Sequence, residues 1–217
     1  MSSFLIFQVL ILIFSVVIHE VSHGYMAYSL GDPTAKRAGR LTLNPIKHLD
    51  FFGSLIVPAF LIISGSPFVI GWAKPVPYNP NQLVKDKKYG PLKVALAGPL
   101  SNFIVATIFG IALRFLHPFL PEMMIFGFAL IVFINILLGV FNLIPVPPLD
   151  GSKILMTFLP PKQAMAFQRI GIIGIFLVFL LISLFGNVLF GIVSGIFQFI
   201  SGPEVWRMLF SILSGGA

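Results

Sequence analysis

Apolar residues gather along the chain in six stretches, about residues 4–30, 51–72, 92–116, 123–143, 167–185 and 187–212. A helix crossing the roughly 30 Å hydrocarbon core of a bilayer needs about 20 mostly apolar residues. The first, third and fourth stretches meet that length and predict spanning helices. The last two are less continuous. Phe185-Gly186-Asn187 interrupts the run and Ser201-Gly202-Pro203 interrupts it again, so two helices parted near residue 186 are expected. The second stretch leads through FFGSLIVPAFLIISGSPFVIGWAKPVPYNP, whose Pro, Gly and Ser content does not suit a plain helix.

Lys and Arg placement tests whether that second stretch crosses, because cytoplasmic loops carry the excess of positive residues. If all six stretches cross, Lys36, Arg37, Arg40, Lys47 and Arg114 share one face against eight residues on the other. If the second dips in and returns, twelve loop residues from Lys36 to Arg169 share one face and Arg114 stands alone opposite. Arg207 is expected to join the twelve. The second arrangement is the sharper, and irregular backbone at membrane depth is tolerated where it lines a wet cavity. The expected fold is therefore an all-α polytopic membrane protein. It has about five spanning helices and a re-entrant segment over about 51–80, with short β-structure allowed after the first helix. The N-terminus lies outside, and the 31–50, 73–93 and 144–169 connections lie in the cytoplasm.

Composition agrees with a lipid solvent. The 217 residues are 57% hydrophobic and 10% charged, with a mean hydropathy of +1.00. A soluble domain of this size has no place to hide so much apolar surface. The net charge of +7 sits in loops between apolar stretches, so it reports orientation rather than nucleic acid, for which no basic stripe with interleaved aromatics is present. Cysteine is absent, which removes disulfides, thiolate ligands and a cysteine nucleophile. Residues 1–18 lack the positive n-region of a signal peptide, and the apolar run continues into HEVSHGYMAY, so this stretch is kept as a membrane helix.

The chemistry begins in that helix. His19 and His23 are four residues apart, which places both imidazoles on one helix face about a turn apart, able to reach one metal ion. Glu20, next to the first ligand, is angled toward metal-bound water as a general base. Three ionisable residues within five positions of an apolar span are costly and point to function. If the helix starts near Phe4, His19 lies roughly 22 Å along it, toward the cytoplasmic side. A catalytic zinc takes three protein ligands and an open position. Asp150 is the strongest third candidate: in FNLIPVPPLDGSK the prolines stop the preceding helix and Gly151 permits a sharp turn. An Asp-Gly pair by itself is also an ordinary turn.

Taken together, HEVSHGYMAYSLGD, LAGPLSN at 96–102 and FNLIPVPPLDG at 141–151 resemble the site-2 protease family of intramembrane zinc metalloproteases. RLTLNPIKHLD and GWAKPVPYNP resemble its compact prokaryotic branch, which lacks an appended regulatory domain. The resemblance implies one zinc ion with Asp150 as third ligand, Glu20 as general base, and a partly re-entrant segment after the HExxH helix. It implies hydrolysis of peptide bonds in or near transmembrane segments of membrane-protein substrates. The chain is then one membrane-embedded metalloprotease domain over 1–217, with a catalytic core over about 4–151, in the cell membrane with its site toward the cytoplasm.

Two amides are candidate aids to substrate binding or to the transition state, Asn142 beside the aspartate loop and Asn102 in GPLSN. Both could instead join helices, as small and polar residues do in membranes. His48, His117 and Asn135 are expected to be structural. The alternative of another class is a zinc-binding membrane transporter or sensor without hydrolysis. A transporter should carry ionisable residues along several spans, whereas here they concentrate at one depth.

Overall fold

The computed structural model describes residues 2–56, 60, 63–64, 73–171 and 173–213. Its helices are α1 (Ser2–Ser29), α2 (Thr34–Arg37), α3 (Gly90–Leu116), α4 (Glu122–Asn142), α5 (Asp150–Met156), α6 (Pro161–Gln168), α7 (Ile173–Ser201) and α8 (Pro203–Leu213). Among the described residues, four helices are long and apolar enough to cross a membrane: Ile6–Ser29, Gly90–Phe119, Glu122–Asn142 and Ile173–Ser201. The all-α membrane class expected from the sequence is the class observed.

Among the described residues the candidate spans number four, against the expected five or so. Phe185-Gly186-Asn187 does not divide two helices; α7 runs through it for 29 residues. A helical Gly costs about 1 kcal/mol relative to Ala, whereas backbone left unpaired in lipid costs several kcal/mol per group. Continuity therefore wins. The second break is real, since Gly202 takes a φ of +96° that ends α7. Only 11 residues follow as α8, about 16 Å of helix and too short to cross. Glu204 of α8 lies 3.8 Å from His117 at the far end of α3, and Arg114 donates to the Phe199 carbonyl. Arg207 thus belongs with Arg114, not with the twelve, and the division of Lys and Arg becomes twelve to two.

Helix α3 is the centre of the bundle, packed between α1 and α4, with α5, α7 and α8 completing it. Small residues allow close approach: a Cβ at Gly139 would stand 2.9 Å from Phe103 Cζ. At one end Ala106, Leu113, Leu130, Ile136, Val193, Phe197, Val205 and Leu209 form an apolar core. Trp206 packs there against Phe197 and Phe210, with ring centroids 5.3 and 5.9 Å away. Helix α7 shows most of its remaining surface outward, as a helix facing lipid can.

The opposite end is polar. Residues 57–59, 61–62 and 65–72 of the expected re-entrant stretch lie outside the described residues. Its ends are described: Leu49 and Ala73 form an isolated antiparallel bridge, so the two ends of the stretch meet. Residues 74–79 then run along α1, tied by Lys74 N–H to the His48 carbonyl (2.9 Å), Arg40 to the Lys74 carbonyl (2.6 Å) and Asn79 N–H to Asp32 (2.5 Å). Asp32 is fully buried. Burial works to raise its pKa, but hydrogen bonds from Thr34 and Asn79 and the charge of Arg37 outweigh it and hold the carboxyl below the usual carboxylate value.

Candidate metal centre

Three polar side chains from two distant parts of the chain meet in the buried space between α1, α3 and α5. His19 Nε2 lies 3.0 Å and His23 Nε2 2.9 Å from the same oxygen, Asp150 Oδ2. The two Nε2 atoms are 3.1 Å apart, with the rings nearly perpendicular at 84°. All three residues are buried. The helical spacing brings the imidazoles together. Asp150 reaches them because the 143–149 loop turns back so tightly that a Cβ at Gly151 would collide with the Leu143 carbonyl and lie 2.5 Å from that of Ile144. Gly151 is therefore required by contact rather than by an unusual φ.

Hydrogen bonding shows what this triangle can hold. His19 Nδ1 faces Asn102 Oδ1 at 2.6 Å and His23 Nδ1 faces the Val94 carbonyl at 2.6 Å. Both partners are acceptors, so each Nδ1 carries the proton and each Nε2 presents a lone pair. Two lone pairs and a carboxylate oxygen about 3 Å apart repel one another unless a cation sits among them. Ligands 2.0–2.1 Å from a tetrahedral zinc stand about 3.3 Å from one another. The donor set fits zinc. Gly98 keeps the space open, since a Cβ there would collide with His23 Nε2 and lie 2.6 Å from His19 Nε2.

Around the triangle, Lys153 Nζ holds the second aspartate oxygen, Asp150 Oδ1, at 2.9 Å. Burial pushes the Asp150 pKa upward, and the charge of Lys153 opposes this and favours the carboxylate. Glu20 Oε2 accepts from the Val76 N–H at 2.8 Å. Glu20, His23, Pro75, Val76, Tyr78, Val94, Asp150 and Lys153 line a cavity of about 50 Å³. That is room for water, whose share of liquid volume is about 30 Å³, but not for a peptide segment.

Comparison with known proteins bears on what this centre is. The family model of peptidase family M50 matches residues 120–185, a stretch that includes Asp150 but not the HExxH helix. YwhC of Bacillus subtilis, named for zinc metalloprotease activity, is 42% identical over 162 residues, covering 71% of this chain and 70% of the relative. The chain belongs to the M50 peptidases. These are the site-2 proteases, and membership makes the protein an intramembrane zinc metalloprotease. Rip2 of Mycolicibacterium smegmatis, similarly named, is 31% identical over 153 residues, 70% of this chain and 57% of the relative. A zinc metalloprotease of Methanocaldococcus jannaschii is 28% identical over 156 residues, 70% of this chain and 34% of the relative. No solved structure matches the chain. Nothing in the comparisons favours the transporter or sensor.

Within this M50 protease the residues singled out from sequence separate. His19, His23 and Asp150 are together and Glu20 lines the adjoining cavity. Asn102 touches His19, on the side away from the cavity. The Asn142 amide donates to the Leu138 carbonyl of its own helix (3.0 Å). His48 is buried against the Thr42 carbonyl (2.8 Å), and His117 sits at the far end with Glu204. Missed were Gly98, Val94, Lys153 and the strap at Pro75–Tyr78. Lys153 alone left a usable signal, a cation three residues after the aspartate on a helix.

Proposed function

We propose that His19 Nε2, His23 Nε2 and Asp150 Oδ2 hold one zinc ion, and that Glu20 is the general base of peptide-bond hydrolysis. The convergence of three unprotonated donor atoms, with both Nδ1 positions already occupied, carries this reading. Held there, zinc would supply the Lewis acidity that lets a water lose its proton near neutral pH and would polarise the scissile carbonyl. Glu20, held by the Val76 N–H, takes that proton and delivers it to the leaving amine. Lys153 keeps Asp150 ionised and turned so that Oδ2 faces the histidines.

The substrate is a transmembrane segment of another protein, entering from the bilayer. Because the cavity of about 50 Å³ admits only water, an unwound substrate segment must displace part of the 74–79 strap or pair beside it. Asn142 ends α4, just before the loop that delivers Asp150, and is proposed to contact that extended segment. Twelve of the fourteen Lys and Arg fall on the face of the metal-bearing ends of α1 and α5, which supports a cytoplasm-facing site in the cell membrane with the N-terminus outside. Residues 1–217 act as one unit.

The test is cleavage of a panel of single-span substrates in detergent or proteoliposomes. Glu20→Gln should keep its zinc and lose cleavage by about 10²- to 10⁴-fold. A Glu20→Gln protein that holds zinc and cleaves at the wild-type rate would overturn the role assigned to Glu20.

A further inference from the structure

We infer that Asn135, in the middle of α4, is a positioning residue for the metal centre, acting through Asn102 to set which nitrogen of His19 faces the metal. The inference rests on the zinc site proposed above. The two histidines are anchored differently. His23 Nδ1 meets a backbone carbonyl, Val94 O, directly. A carbonyl is an obligatory acceptor, so the His23 tautomer has no alternative. His19 Nδ1 meets a side-chain amide, which presents either a carbonyl oxygen or an NH₂ depending on its rotation. If Asn102 turned about, its NH₂ would face the ring, Nδ1 would become the acceptor and Nε2 would carry the proton. The metal would lose a ligand.

What prevents the turn is a relay across three helices. Asn135 Nδ2 donates to the Ile131 carbonyl at 2.8 Å and to Ser15 Oγ at 2.9 Å. That orients Asn135 with Oδ1 toward Asn102, where it accepts from Asn102 Nδ2 at 2.8 Å. The same Nδ2 reaches the Ser15 carbonyl at a longer 3.3 Å. Asn102 Oδ1 is then left facing His19 Nδ1. The His19 tautomer is thus fixed mainly by the Ile131 carbonyl through two amides, with the longer contact of Asn102 to the Ser15 carbonyl adding to it, whereas His23 is fixed by Val94 through none. Ser15, Asn102 and Asn135 are all buried, so water cannot substitute for a missing partner. Outer partners of metal-bound histidines commonly change metal affinity by about 10- to 100-fold.

The experiment measures zinc affinity of the full chain in detergent by competition with a chromophoric chelator. Asn135→Leu removes the acceptor for Asn102 and should weaken zinc binding by about tenfold. Asn135→Asp keeps an oxygen toward Asn102, whether ionised or protonated, and should bind zinc nearly as wild type does. A role in packing alone predicts the reverse order, because a buried carboxyl is the harsher change. Asn102→Asp, both of whose oxygens accept, should restore affinity in the Asn135→Leu background, since it has no wrong orientation. Equal loss in Asn135→Leu and Asn135→Asp, or no rescue by Asn102→Asp, overturns the relay. A wild-type ¹⁵N-histidine spectrum requires no variant: zinc on Nε2 with Nδ1 protonated at His19 is expected, and zinc on Nδ1 overturns it. His23→Ala should lose zinc in any case; if it does not, the metal site itself is misassigned, a failure distinct from that of the relay.

Discussion

The two ends of this bundle are built on different physics. Where α3, α4, α7 and α8 meet, Phe197, Leu209, Trp206 and their neighbours hold the helices by shape, with few polar atoms involved. Where α1, α3 and α5 meet, the functional side chains are placed by directed hydrogen bonds, to the Asn102 amide and the Val94 carbonyl, and by the approach of both histidines to Asp150. In lipid the first kind gains little from hydrophobic transfer, since the surroundings are as apolar as the side chains. It tolerates change of identity if volume is kept. The second kind tolerates almost none, because a lost acceptor changes a tautomer and a gained methyl fills the metal space.

That contrast can be broken by paired substitutions of the same small size. The largest effect is expected at Gly98→Ala, whose new methyl would occupy the space beside both Nε2 atoms. Stoichiometric zinc binding and cleavage should both be abolished, with helical circular dichroism unchanged. Next comes Asp150→Asn, which should weaken zinc binding by more than tenfold in the same chelator competition, because a neutral amide is a far poorer ligand beside Lys153. A middling effect is expected at Asp32→Asn. It leaves the metal alone but weakens the tie from the turn after α1 to the 74–79 strap, by about 1–3 kcal/mol in unfolding experiments.

That last effect carries a pH signature. The Asp32 pKa is lowered in the folded protein, so its contribution is fully present above the ordinary value of 3.8. It is lost as pH falls through the lower folded value. The stability gap between wild type and Asp32→Asn should therefore close on acidification below that ordinary value and stay constant between pH 5 and 7. The smallest effect is expected on the outward face of α7, away from both ends: Gly186→Ala, with nothing within 4 Å of the added methyl, should leave zinc binding and cleavage unchanged and raise stability slightly. A loss of zinc there would contradict the confinement of metal sensitivity to the polar end.

Much of the polar end was legible in the sequence because its signals are local. His19, Glu20 and His23 share one helix face by spacing alone, and Asp150 stands in a loop that prolines and Gly151 force to turn. The relay was not legible. Asn102 and Asn135 look like ordinary polar residues in membrane helices, and their pairing depends on the rotation of α3 against α4, which no local pattern encodes. The apolar end misled for the opposite reason. Gly186-Asn187 resembles a break by the propensities of water-soluble helices, but lipid offers no partner for backbone groups a break would expose, so α7 continues. Arg207 changed faces as a direct consequence.

The central claim is that two imidazole Nε2 atoms and one carboxylate oxygen, from residues 131 positions apart in the chain, hold a single zinc ion. X-ray absorption at the zinc edge on the purified, zinc-loaded chain tests this most directly. The account predicts one zinc per chain with two imidazoles and oxygen donors at about 2.0–2.1 Å, no zinc in His23→Ala, and an altered oxygen shell in Asp150→Ala. A full complement of zinc whose spectrum is untouched by both substitutions would contradict it.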